Sequence, residues 1–71
     1  MYTLELIGFC NSKRIACQTI EDARAAHKAA SAETFEVKDD PTGLNYGTSA
    51  RWNMWELFQD GKLVKNGTFN L

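Results

Sequence analysis

The chain of 71 residues carries 8 basic and 9 acidic side chains, and 44% of its residues are hydrophobic. A chain of this length is expected to form one domain, residues 1–71, that buries only about 60% of its surface, with one thin core and no cofactor-sized internal cleft. The balanced charge disfavours both a strongly basic nucleic-acid binder and an acidic nucleic-acid mimic, and one His and two Cys leave little for a metal site or a catalytic triad.

The beginning of the chain predicts a hairpin. Residues 2–9 alternate as a strand, residues 11–13 have the composition of a turn, and residues 14–17 form a short returning strand. There is no basic leader and no apolar run long enough for a membrane span, so we expect a cytoplasmic protein. Cys10 and Cys17 are then expected as reduced thiols, with a disulfide across a tight turn as the alternative.

A helix is predicted from about residue 20 to residue 32. Thr19 has the character of an N-cap, because its hydroxyl can accept a hydrogen bond from the amide of Asp22. Six alanines give this segment high helix propensity and a slim profile. The side chains expected to face a sheet follow helical spacing: Ile20, Ala23, His27 and Ala30.

The second half of the chain predicts strands around a long loop. Residues 34–38 alternate as a strand with Phe35 and Val37 inward, and residues 42–50 have the composition of a loop. Loops of this length are often binding elements. An Asp-Gly pair at residues 60–61 predicts a tight hairpin, and Asn-Gly at 66–67 predicts a bulge or a second turn in the last strand.

Residues 51–59 are apolar on both faces of a predicted strand. We expect Trp52, Met54 and Phe58 to face the helix, and Trp55 with Leu57 to lie on the open face. One short helix covers one face only. Either the loop at 42–50 or another molecule is therefore expected to cover the second face.

The fold class expected from this order of elements is α+β, with one α-helix packed on a three- to four-stranded antiparallel sheet, in the order β-(β)-α-β-β-β. A sheet of this kind has one covered face and one open face.

No motif in the sequence carries a specific chemistry. His27 could be a general base or a thiol partner for Cys10 or Cys17, but a side chain that fills space beside small alanines is the simpler interpretation. The acidic residues near Asp40 do not have the spacing of a calcium loop, and the glycines match no phosphate-binding loop. We therefore predict no catalytic residue, no cofactor and no metal.

Two segments give the chain a resemblance to known proteins. The helix start Thr19-Ile20-Glu21-Asp22-Ala23 and the hairpin from Trp55 to Val64, with its Asp-Gly-Lys turn, resemble those of small β-α-β accessory proteins encoded by phages and other mobile elements. Proteins of this kind commonly bind and inhibit host proteins, and anti-CRISPR proteins are among them. The resemblance therefore implies an inhibitor that acts in the host cytoplasm.

The leading hypothesis is a non-enzymatic inhibitor that blocks a host protein or ribonucleoprotein complex by steric occupation. The residues expected to contact the partner combine aromatic anchors with charges that steer encounter: Trp55, Leu57, Tyr46, Arg51, Asp39 and Asp40. The alternative is a homo-oligomer, at least a homodimer, that binds a small ligand or nucleotide between subunits as a sponge or sensor. A nucleic-acid-binding accessory protein is the second alternative, although the net charge of −1 disfavours nucleic acid.

Overall fold

Antiparallel pairing between the two ends of the chain organises the fold. The structure, a computed structural model, describes residues 1–38 and 40–68. In chain order its elements are β1 (Tyr2–Gly8), β2 (Asn11–Cys17), α1 (Ile20–Ala30), β3 (Thr34–Glu36), β4 (Ser49–Arg51), β5 (Met54–Gln59) and β6 (Lys62–Thr68). Four strands form an antiparallel sheet in the order β2–β1–β5–β6, and β3 pairs with β4 in a separate two-stranded sheet. The expected α+β class is confirmed.

The turn between β1 and β2 lies earlier than predicted. Gly8 pairs with Asn11, so the two-residue turn is Phe9–Cys10, and residues 11–13 belong to β2. Phe9 and Cys10 both have positive φ, 47° and 63°. Two-residue hairpin turns with positive φ at both central residues usually contain Asn-Gly or Asp-Gly, and Phe-Cys is not such a pair, so the residue types do not indicate this turn.

The helix begins where its cap predicts. The Asp22 amide donates to the Thr19 hydroxyl over 3.1 Å, and α1 ends at Ala30, two residues before the predicted end. Ala23 and Ala30 are buried against the sheet. The helix packs on β1 and β2, and it leaves the same side of β5 and β6 less covered.

The single strand predicted over residues 51–59 is interrupted. Residues 49–51 form β4 in the small sheet, and β5 of the large sheet starts only at Met54. Trp52 lies in the link between the two sheets, where it is buried and stacks on Phe35 with ring centroids 4.0 Å apart. Because Trp52 is not part of β5, its orientation says nothing about which residues of β5 face the helix.

The predicted faces of β5 were therefore wrong. Leu57 pairs with Leu4 and Trp55 pairs with Leu6, and these two leucines of β1 are almost completely buried on the helix side. Trp55 and Leu57 thus face α1, while Met54 and Phe58 lie on the opposite, open side of the sheet. The charged Glu56 between Met54 and Phe58 was the available signal, since it marks their face as the one in contact with water.

The last hairpin matches one prediction and corrects another. Asp60 and Gly61 form the turn between β5 and β6 with φ values of 51° and 84°, as the Asp-Gly pair predicts. The pair at residues 66–67 makes neither a bulge nor a turn, because it pairs regularly within β6. The register shift occurs instead at Leu57/Phe58. The part of the predicted last strand at 69–71 lies outside the described residues.

Candidate functional site

The predicted contact residues that the structure describes do not form one surface. Leu57 is 5% exposed and belongs to the core, and Trp55 is half-buried beside it. Arg51 is exposed at the end of β4, and Tyr46 is exposed on the loop between β3 and β4. Asp40 begins that loop, whereas Asp39 lies outside the described residues.

Residues 40–48, called here the Asp40 loop, are held in shape by hydrogen bonds to one carboxylate. Asp40 accepts hydrogen bonds from the Thr42 amide (3.0 Å), the Thr42 hydroxyl (2.8 Å) and the Asn45 amide (2.9 Å). These bonds, that of the Thr42 hydroxyl first, hold the pKa of Asp40 below its usual 3.8, so the carboxylate is ionised at neutral pH. Asp40 therefore organises the loop from within.

The base of the Asp40 loop is fixed to the body of the domain. The Val37 amide donates to the Thr48 carbonyl, and the Gly47 amide donates to the Val37 carbonyl, each over 2.9 Å. Val37 itself is fully buried. The two ends of the loop are therefore clamped together beside a core residue, which limits how far the loop can move.

The Asp40 loop exposes its large side chains instead of packing them. Leu44 is 84% exposed and Tyr46 is 68% exposed. Neither side chain packs onto the open face of the sheet. The prediction that the loop covers this face is therefore not met by Leu44 and Tyr46. The hydrogen bonds of this loop fix its backbone conformation, while its large apolar side chains stay exposed to water. Exposed apolar side chains on an ordered loop are typical of a binding surface.

The Phe9–Cys10 turn lies beside this loop. Asn11 connects the turn to Lys38, which precedes the loop, because its side-chain amide donates to the Phe9 carbonyl (2.7 Å) and its side-chain oxygen accepts from the Lys38 backbone amide (3.2 Å). Phe9 is 47% exposed. Cys10 and Tyr46 line one shallow depression of about 380 Å³. The turn and the loop thus form one end of the molecule.

A second concave feature lies between α1, β5 and β6, on the side of the sheet that α1 covers only in part. This cleft has a volume of about 260 Å³. Its apolar walls come from the helix and from two strands: Leu4, Ile20, Ala23, Trp55 and Leu57. This cleft is open to the surface and smaller than the cofactor-sized internal cleft that the length of the chain makes unexpected, and it lies where the helix, displaced toward β2, leaves the sheet uncovered.

The indole of Trp55 lies close to β6 because Gly67 has no side chain. A Cβ atom on Gly67, the partner of Trp55 in β6, would lie 2.9 Å from the indole ring, closer than real contacts allow. The rings of His27 and Trp55 are in T-shaped contact, with centroids 4.9 Å apart and an interplanar angle of 63°. The indole therefore lies against the β6 backbone, and Gly67 is what permits it.

The polar side chains that line the cleft are all basic. They are Arg24 and His27 from α1 and Lys65 from β6, in a chain whose net charge is −1. Burial, and then the charge of Lys65, lower the pKa of His27 below 6.5, so that His27 is neutral at pH 7. Within the part of the chain that the structure describes, neither Arg24 nor Lys65 forms an ion pair.

The cysteines and acidic side chains that the structure describes show no activated nucleophile or metal cluster. Burial, and then the charge of Asp22, raise the pKa of Cys17, which disfavours the reactive thiolate. Cys10 and Cys17 are free, one exposed and one buried. Among residues 1–38 and 40–68, no group of three or more His, Cys, Asp or Glu side chains could hold a metal ion.

The comparisons with known proteins supply no relative. No protein-family model, no curated protein and no solved structure matches the chain. The only described helix has 11 residues, and no helix in that part of the chain is long and apolar enough to cross a membrane. The two surfaces are therefore the structural basis for a proposal about function.

Proposed function

We propose that the protein is a small, non-enzymatic protein-binding inhibitor that blocks a host complex by steric occupation, and that the Asp40 loop and the Phe9–Cys10 turn contact the partner. The observation that carries this proposal is the Asp40 loop itself, ordered by its own hydrogen bonds while Leu44 and Tyr46 stand in water. Ordering before binding reduces the entropy that binding must otherwise cost.

The chemistry of this end of the molecule fits a protein partner. Two large apolar side chains on a fixed loop can enter a pocket of the partner as anchors, and the half-exposed ring of Phe9 adds apolar area beside them. The resemblance of the helix start and of the last hairpin to phage accessory proteins supports a host complex as the target, in the host cytoplasm.

Two variants with matched losses of exposed apolar side chains test the proposal. Leu44→Ser with Tyr46→Ser removes the anchors of the Asp40 loop, whereas Leu63→Ser with Val64→Ser removes two exposed apolar residues of β6. Immobilised wild-type protein and both variants are exposed to the same bacterial lysate, and the affinity of the captured partner is then measured with purified components.

The loop variant should bind the partner at least about tenfold more weakly than the wild type, because central apolar anchors carry most of the binding energy. The β6 variant should bind as the wild type does. Far-UV circular dichroism checks that both variants are folded. Equal binding by the folded loop variant, or a loss confined to the β6 variant, overturns the assignment of the surface.

A further inference from the structure

The cleft between α1, β5 and β6 is a second site, distinct from the surface proposed above. None of the residues of the Asp40 loop lines it. It also differs from the shared site considered for a homo-oligomer, in which two chains enclose a ligand. Here one chain supplies the floor, the walls and the charged side chains, so a ligand needs no second subunit.

The shape of the cleft favours a compact, flat, apolar body. Its volume of about 260 Å³ lies just below the roughly 300–1,000 Å³ of ordinary ligand pockets. Leu4 and Leu57 form an aliphatic floor, and the indole of Trp55, which lies against the backbone at Gly67, offers a planar surface. An aromatic ring is the group that best uses a fixed planar neighbour.

The charge of the cleft favours an anion. Arg24 and Lys65 come from opposite walls, α1 and β6, and no acidic side chain is among the described residues that line the space between them. In a chain with net charge −1 this is a local excess of positive charge beside an apolar floor. A carboxylate between a guanidinium and an ammonium group gains charge-assisted hydrogen bonds from both.

We propose that this cleft binds a compact organic anion with a flat apolar body, an aromatic carboxylate in the simplest case. Arg24 and Lys65 hold the carboxylate, and Trp55 holds the ring. The imidazole of His27 is in contact with the indole, so a bound anion changes its electrostatic surroundings.

The test uses two probes that differ in charge and hardly in shape, 2-naphthoate and 2-naphthamide. Titration of the folded protein is followed by two-dimensional NMR, in which the indole N–H signals of Trp52 and Trp55 are separate reporters. The structure assigns the change to Trp55, because Trp52 lies in the other part of the core and donates to Glu33. We expect naphthoate to bind at least about tenfold more tightly than naphthamide, the effect of a charge-assisted hydrogen bond.

Two double variants remove equal charge from the same two elements. Arg24→Gln with Lys65→Gln neutralises the cleft, whereas Lys28→Gln with Lys62→Gln neutralises residues of α1 and β6 that do not line it. The first should lose the preference for naphthoate over naphthamide, and the second should keep it. If the first variant does not fold, Lys65→Gln alone is used in the same comparison.

Three results overturn the proposal. The first is the absence of naphthoate binding at millimolar concentration, and the second is equal affinity for the charged and the neutral probe. The third is an equal loss of preference in both double variants, which shows that net charge alone attracts the anion. Because the Leu44→Ser, Tyr46→Ser variant leaves the cleft intact, it should bind naphthoate as the wild type does, whatever its affinity for a protein partner.

Discussion

At the scale of single residues, Phe9 and Cys10 are the residues whose types fit their backbone conformation least well. Both have positive φ in a tight turn, and neither is Gly or Asn. Such a conformation costs an ordinary L-residue roughly 1–2 kcal/mol, because the Cβ atom approaches the backbone too closely. The cost falls at a turn that lies beside the exposed Asp40 loop, which is consistent with a turn shaped for contact.

Cys10→Gly should therefore stabilise the protein by about 1 kcal/mol, because glycine adopts positive φ without strain. The free energy of unfolding is measured by urea denaturation under reducing conditions. Ser12→Gly is the matched control two residues away in β2, where it should destabilise by roughly 0.5–1 kcal/mol through the greater freedom of glycine in the unfolded chain. Destabilisation by Cys10→Gly would contradict the assignment of strain to the turn.

At the scale of elements, one carboxylate joins three parts of the fold. Glu33 follows the helix and accepts a hydrogen bond from the Trp52 indole N–H (3.0 Å) and one from the ammonium group of Lys13 in β2 (3.3 Å). The bond from Trp52, and then the contact with Lys13, hold the pKa of Glu33 below its ordinary 4.5. The side chain is 37% exposed, so solvent weakens its interaction with Lys13.

The sign of the Glu33 effect follows from linkage. A pKa that is lower in the folded state gives stability that is complete above pH 4.5 and is lost as the pH falls through the folded pKa. The stability of Glu33→Gln should be lower than that of the wild type at pH 7 and should fall less between pH 5 and pH 3. Urea denaturation across this range measures it. Glu36→Gln, at an exposed position in β3, is the control and should retain the wild-type profile.

The elements also show what the sequence could and could not predict. The Thr19 cap and the Asp60–Gly61 turn were predicted correctly, because their signals are local and each has one structural meaning. The faces of β5 were not, because a change of sheet at residues 52–53 breaks the alternation on which the prediction depended. No local signal marks such a change.

The same limit applies to the candidate sites. The length of the loop predicted a binding element with Tyr46 among its contacts, and the alternative was that the loop covers the sheet. Tyr46 is exposed, and its contact with a partner stays a prediction. The cleft could not be predicted, because it depends on how far the helix lies toward β2 and on the fit of the Trp55 indole over Gly67. Both are long-range packing results, and the alternation of apolar residues carries no information on them.

At the scale of the whole molecule, the two proposed surfaces differ in kind. The end formed by the Asp40 loop and the Phe9–Cys10 turn projects apolar side chains outward, whereas the cleft is concave and basic. Large exposed apolar side chains suit a pocket on a larger partner, and a small apolar cleft with basic side chains suits a small ligand. The helix covers only part of one face of the sheet and so leaves the cleft open. A domain of 71 residues can therefore carry the cleft as well as the loop surface.

The basic cleft makes the whole molecule sensitive to acid through its one histidine. Folding keeps His27 neutral, because burial and the charge of Lys65 lower its pKa below the 6.5 of the unfolded chain. The stability that this neutral histidine allows is therefore complete above pH 6.5 and is lost as the pH falls from there toward the folded pKa, where the folded state also takes up the proton.

Lys65→Met should raise the pKa of His27 and reduce the loss of stability on acidification, because it removes the nearby positive charge and keeps the length of the side chain. The histidine ring signal in a one-dimensional proton NMR titration belongs to His27 alone, since the chain has one histidine. Lys62→Met in the same strand is the control and should leave this pKa where it is. An equal pKa shift in both variants would show that His27 responds to the net charge of the molecule. No pKa shift in Lys65→Met would contradict the assignment of Lys65 as the charge that lowers the pKa of His27.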